Sequence, residues 1–133
     1  MKNYSLKGDL SIILRFKNYH YVLEGFKHNR NLCYRTQGLK ELCGLELEFN
    51  LSLEPTEAKR ILDCILNAIL SGVKLEDNLV TSELTNAPIL VKKMQPKDKY
   101  EENEEVYRIV FSDENFLLPE DANCSYPYKN QLN

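Results

Sequence analysis

Two histidines, His20 and His28, are the side chains of this sequence whose unperturbed charge changes near neutral pH. A proton-transfer site would need one of them with a carboxylate to orient it. His20 as general base, with Glu46 or Asp113 as the orienting group, is that combination, and it points to a small hydrolase or nucleotide-processing enzyme. Glu46 and Glu48 are spaced to share one face of a strand. Paired carboxylates do acid–base work or hold a divalent ion, and far more often form a solvated face. The stretch 19–35 interleaves Tyr19, Tyr21, Phe26 and Tyr34 with His20, Lys27, His28, Arg30 and Arg35. Stacking rings among cations suit a single-stranded nucleic acid or a nucleotide. More often such a stretch is core aromatics alternating with surface cations. If the stretch contacts a protein instead, Tyr19, Tyr21, Tyr34 and Arg35 are the expected hot spots.

Other chemistries are excluded by what the sequence lacks. The five glycines, Gly8, Gly25, Gly38, Gly44 and Gly72, are scattered, so no glycine-rich phosphate cradle and no nucleophile elbow is present. His20 and His28 stand eight residues apart, which excludes the helical zinc-protease pair. Cys33, Cys43, Cys64 and Cys124 are separated by 10, 21 and 60 residues, without the short ligand pairs of structural zinc sites. No metal and no cofactor are expected. Each cysteine is expected as a small buried hydrophobe with a free thiol.

The 133 residues are 43% hydrophobic and 28% charged, with a net charge of −3. That suits one domain with a real core and excludes intrinsic disorder. A pI near 5.5 argues against a mainly electrostatic nucleic-acid binder. Residues 1–50 nevertheless carry a balance of +3 and residues 51–133 a balance of −6, an asymmetry that can mark a partner surface. No apolar run is long enough to span a bilayer. Residues 1–9 contain no apolar signal region, so a cytoplasmic protein without membrane contact is expected.

The elements that must position these residues are legible to different degrees. Residues 9–17 fit a short helix capped by Asp9, or a strand through the alternation Leu10, Ile12, Leu14, Phe16. Residues 19–23 and 32–36 are strands, and the polar cluster 27–31 turns the chain between them. Over 44–51, Leu45, Leu47, Phe49 and Leu51 alternate with Glu46, Glu48 and Asn50, which predicts a strand with one buried and one wetted face. Residues 54–71 predict an amphipathic helix. Pro55 starts it, Ala58, Ile61, Leu62, Ile65, Leu66, Ile69 and Leu70 form its apolar stripe, and Gly72 closes it. Short strands are expected at 79–81, 89–91 and 106–111, a charged loop at 96–105, a turn at 113–115 and a polar tail at 125–133. The fold expected is α+β: one domain with a mostly antiparallel or mixed sheet against one long helix.

Taken in order, these segments resemble a bacterial family, domain of unknown function 4262, from about residue 9 to residue 124. Asn18-Tyr19-His20-Tyr21-Val22 is similar to the family's opening strand, and Tyr34-Arg35-Thr36-Gln37-Gly38-Leu39 to the next. Gly44-Leu45-Glu46-Leu47 resembles the third element without its His and Pro. The helix and glycine of 54–72 follow, then Ser112-Asp113 and Leu118-Pro119-Glu120. The resemblance implies a fold but no activity, and it singles out His20, Thr36, Glu46 and Asp113. A shorter resemblance, in Gly38-Leu39-Lys40-Glu41-Leu42 and Glu46-Leu47-Glu48-Phe49, is to the suppressor-of-fused domain. It implies a protein-binding module, in bacterial relatives associated with toxin immunity; an immunity, defence or counter-defence accessory is the setting expected. The resulting expectation is a small cytosolic protein-interaction module from a bacterium or phage. Its binding residues are expected among Tyr19, His20, Tyr21, Arg30, Tyr34, Arg35 and Thr36.

Overall fold

A computed structural model describes residues 10–16, 19–28, 31–97 and 104–133. The ambiguous segment near the N-terminus is a strand, β1 (Leu10–Phe16), because it pairs antiparallel along its whole length with β2 (Tyr19–His28). The turn cluster brings β2 back as β3 (Asn31–Gln37), in register from Val22↔Gln37 to His28↔Asn31. A four-residue helix, α1 (Lys40–Cys43), then leads into β4 (Glu46–Phe49). The long helix α2 (Pro55–Leu70) follows, then β5 (Leu79–Thr81), β6 (Ile89–Met94) and β7 (Val106–Phe111). One mixed seven-stranded sheet results, ordered β1-β2-β3-β4-β7-β6-β5. β4 and β7 are parallel and the other pairs antiparallel. The architecture is α+β in a single domain.

Helix α2 starts with Pro55 at a position where a missing N–H costs nothing. It ends where Gly72 takes φ +116° and the Val73 N–H closes back onto Ala68 O at 3.0 Å, a backbone reversal that only glycine makes without strain. Its buried stripe is Ala58, Ile61, Leu62, Ile65 and Leu66. Ile69 is partly buried and Leu70, at the frayed end, is 45% exposed. The stripe joins one apolar cluster with Leu14, Leu23, Leu47, Phe49, Ile89, Val91, Ile109 and Phe111. Within it the Phe49 and Phe111 rings meet edge to face, their centroids 5.4 Å apart. This is the core expected from the alternation of β4 and the period of α2.

The opposite face of β4 differs from expectation. Glu48 and Asn50 are buried rather than wetted, and Glu46 is half-buried. The cover over Asn50 comes from residues 125–133. Those residues are polar in composition but not a free tail: a short 3-10 helix, Tyr128–Asn130, leads to a fully buried Gln131. The Gln131 amide bonds both main-chain groups of Phe111, at 2.7 Å each. Of the charged loop, Pro96, Lys97, Glu104 and Glu105 are described. Among the described residues, no helix is long and apolar enough to cross a membrane.

Candidate functional site

Strand pairing sets Arg35 beside Glu48, and Glu48 beside Arg108, on the face turned away from the apolar cluster. Glu48 Oε2 accepts from Arg35 Nε at 3.2 Å and Nη2 at 3.0 Å, and from the Lys97 N–H at 3.0 Å. Its Oε1 accepts from Arg108 Nε at 3.0 Å and Nη2 at 2.5 Å. The Glu48 side chain is 0% exposed, Arg108 1% and Arg35 10%. Two cations face one anion, so dipoles must stabilise the excess positive charge. Arg108 Nη1 donates to the main-chain oxygens of Gln131 and Asn133, at 3.1 and 3.4 Å. The Arg35 guanidinium lies 4.7 Å from the centroid of the Phe26 ring. With five donors on it, the Glu48 carboxylate has no lone pair left for a substrate proton. The cluster ties three strands to residues 97, 131 and 133.

Glu46 is equally committed. It accepts from Thr36 Oγ1 at 2.7 Å and from the N–H groups of Gly38, Leu39 and Lys40 at 2.9, 3.0 and 3.2 Å. A carboxylate there satisfies the donors that begin α1. Thr36 Oγ1 in turn accepts from the Leu47 N–H at 2.9 Å. Asp113 accepts from the N–H groups of Asn115, Leu117 and Ser125 at 2.8, 2.9 and 2.9 Å. These bonds, that of Leu117 foremost, hold its pKa below the ordinary carboxylate value against the opposing effect of burial. His20 is exposed on β2, and among the described residues it bonds neither carboxylate. The three candidates for catalysis are not brought together.

The aromatic and cationic positions of 19–35 divide by strand parity. Tyr21 is 2% exposed, Tyr34 1%, Thr36 1% and Arg35 8%, so four of the expected binding residues lie inside. The Tyr34 hydroxyl donates to Leu53 O at 2.7 Å, whereas the Tyr21 hydroxyl is buried without a partner. Burial pushes both phenols up to about 12, helped by Asp63 near Tyr21 and Glu54 near Tyr34. Tyr19 is half-buried. Arg30 lies outside the described residues, as does the side chain of His28. What faces outward here is Ile13, 80% exposed, with Arg15 and His20. Ile13 stands opposite Val22, and Arg15 opposite His20.

Two clefts lie beside the C-terminal end of α2. One of about 450 Å³ is lined by Leu42, Cys43, Ile69, Val73, Lys74 and Tyr107. The other, of about 590 Å³, is lined by Cys64, Asn67, Ser71 and Glu83 among others. Neither contains His20, Glu46 or Asp113. Cys43, at the first, is a poor nucleophile: burial, aided by Glu46, raises its thiol to about 12. All four cysteines are free. Among the described residues, no group of three His, Cys, Asp or Glu side chains converges on a metal position.

Sequence reasoning missed Arg108, Lys97, Asn50 and Gln131. Arg108 had a signal: it interrupts the otherwise apolar run Val106–Phe111, and an inward arginine requires a buried acid. Compared with family models, with curated proteins and with solved structures, the chain finds no match.

Proposed function

We propose that the protein is a binding module for another protein, and that it takes a strand-forming segment of that partner along β1. One observation carries this reading. β1 is the outermost strand of the described sheet, and Ile13 at its centre is 80% exposed. An edge strand with an outward isoleucine is what soluble proteins normally blunt with charge or proline. Such an edge is a template for strand addition: main-chain bonds supply affinity, and alternate side chains supply selectivity. The carboxylates of Glu46, Glu48 and Asp113 are taken up by hydrogen bonds within the fold. The resemblance to the suppressor-of-fused domain supports the same reading. Four free cysteines suit a reducing compartment, so the cytoplasm is the proposed location.

The test is affinity capture from the source cell with the tagged full chain and its Ile13→Asp variant. A partner retained by the wild type and lost by the variant, at unchanged circular dichroism, is the expected result. Equal retention by both overturns the β1 assignment. No partner at all, together with turnover of a nucleotide or peptide, overturns the binding reading.

A further inference from the structure

Phe116 and Tyr126 are the exposed aromatic residues among those described, at 62% and 67%. They are not on mobile tips. Phe116 has φ +63°, a conformation that is a steric outlier for a bulky side chain. It is clamped there from both sides. Its own N–H donates to Asp113 O at 2.9 Å, and the buried Asp113 carboxylate accepts from Asn115 and Leu117. The segment bearing Tyr126 is fastened to this loop through Ser125. The Ser125 N–H donates to Asp113 Oδ2 at 2.9 Å, and its hydroxyl to Glu114 Oε1 at 3.0 Å. Glycine or asparagine would satisfy the same turn without the steric cost, and the fold buries little of the phenylalanine ring in return. Two aromatic rings thus stand in solvent on backbone that is already fastened, which lowers the ordering cost of binding.

Charge indicates what covers them. Residues 112–127 contain Asp113, Glu114, Glu120 and Asp121 and no lysine or arginine. Asp113 is turned inward, while Glu114 and Glu120 are exposed and Asp121 half-buried. The nearby Lys129 bonds the main-chain oxygens of Pro119 and Asp121, at 3.4 and 3.0 Å, and offsets only part of that charge. Exposed rings on an acidic segment favour a guanidinium, which stacks on a ring while it pairs with an acid. The molecule already uses such a stack internally, Arg35 on Phe26.

We propose that Phe116 and Tyr126, on the segment that carries the exposed Glu114 and Glu120, form a second protein-contact surface that takes an arginine-rich segment of a partner. It is separate from β1. β7, which leads into this loop, lies four strands from β1 in the sheet, roughly 19 Å at about 4.8 Å per strand.

The test uses the full chain as bait against a displayed library of random 12-residue peptides. Selected clones should be rich in arginine and lose affinity steeply with salt. They should bind Phe116→Asn and Tyr126→Ser at least tenfold more weakly, and Ile13→Asp as well as wild type. Phe116→Asn should melt no lower than wild type, because asparagine accepts the left-handed backbone. Acidic or neutral clones, clones indifferent to Phe116, or no enrichment overturns the proposal. So does a clear fall in the melting temperature of Phe116→Asn, which would make the ring structural.

Discussion

Substituting Glu48→Gln keeps the volume of the side chain and removes its charge from between two guanidiniums. The wild-type carboxylate accepts five hydrogen bonds: two from Arg35, two from Arg108 and one from the Lys97 N–H. Glutamine has one acceptor oxygen. If that oxygen turns to Arg108, the amide N–H₂ faces the donors of Arg35 and Lys97; turned the other way, it faces Arg108. In either pose a buried guanidinium loses its anion and meets a donor. Removing one partner of a buried ion pair costs about 3–5 kcal/mol, because the remaining charge stays desolvated. The whole stability of a domain is about 5–15 kcal/mol. In urea, with a slope of about 2 kcal/mol per molar, the unfolding midpoint should fall by about 2 M. A triple variant, Arg35→Met, Glu48→Leu and Arg108→Met, removes all three charges together. It should recover part of the loss, although the Gln131 and Asn133 oxygens then lose their donor. A Glu48→Gln protein within about 1 kcal/mol of wild type would refute the reasoning, since water would have to reach the cluster. A triple variant less stable than the single one would refute it as well.

Ile65 is fully buried in the α2 stripe, so Ile65→Asp places an unpaired carboxylate in the core and should abolish folding; a soluble, cooperatively melting variant would show the core to be elsewhere. Of eight tyrosines, Tyr21 and Tyr34 ionise near 12 when folded, above the value of about 10 in an unfolded chain. Their contribution to stability is whole below about pH 10 and is lost as pH rises toward the folded value; absorbance at 295 nm should show two phenols titrating only as the chain unfolds. The folded pKa of Asp113 is lowered, so its contribution is present above the unfolded value of about 3.9 and fades as pH falls through the folded one. Denaturant midpoints between pH 2 and 5 should therefore depend less on pH in Asp113→Asn. Phe116→Gly relieves a φ of +63° and should be between neutral and about 1 kcal/mol stabilising by thermal melt, since the glycine also loosens the unfolded chain.

How much was legible followed the range of the interaction. The period of α2 and its ends at Pro55 and Gly72 depend on residues within a few turns, and they were readable. Residues 10–16 fitted two conformations until a second strand was present, because a helix and a strand place Leu10 and Leu14 on one side alike. Pairing with β2 decided between them. At β4 the alternation correctly divided Leu47 and Phe49 from Glu48 and Asn50, but parity says only that two faces differ. That the second face is also buried depends on Arg108 and Gln131, 60 and 81 residues from their partners there. The hairpin left two readings open, stacking rings on the surface or core aromatics alternating with cations, and for Tyr21 and Tyr34 their parity with the inward Leu23 gave the second.

By itself the sequence determined the fold class, the main helix, most of the strands and the apolar half of the core, because periodicity is a property of local backbone geometry. Only the tertiary structure decided where its charged and aromatic residues lie and what they touch. A carboxylate such as Glu48 can be buried only where distant donors converge on it, and a ring such as Phe116 is held in solvent only where a distant serine and a buried aspartate clamp its loop.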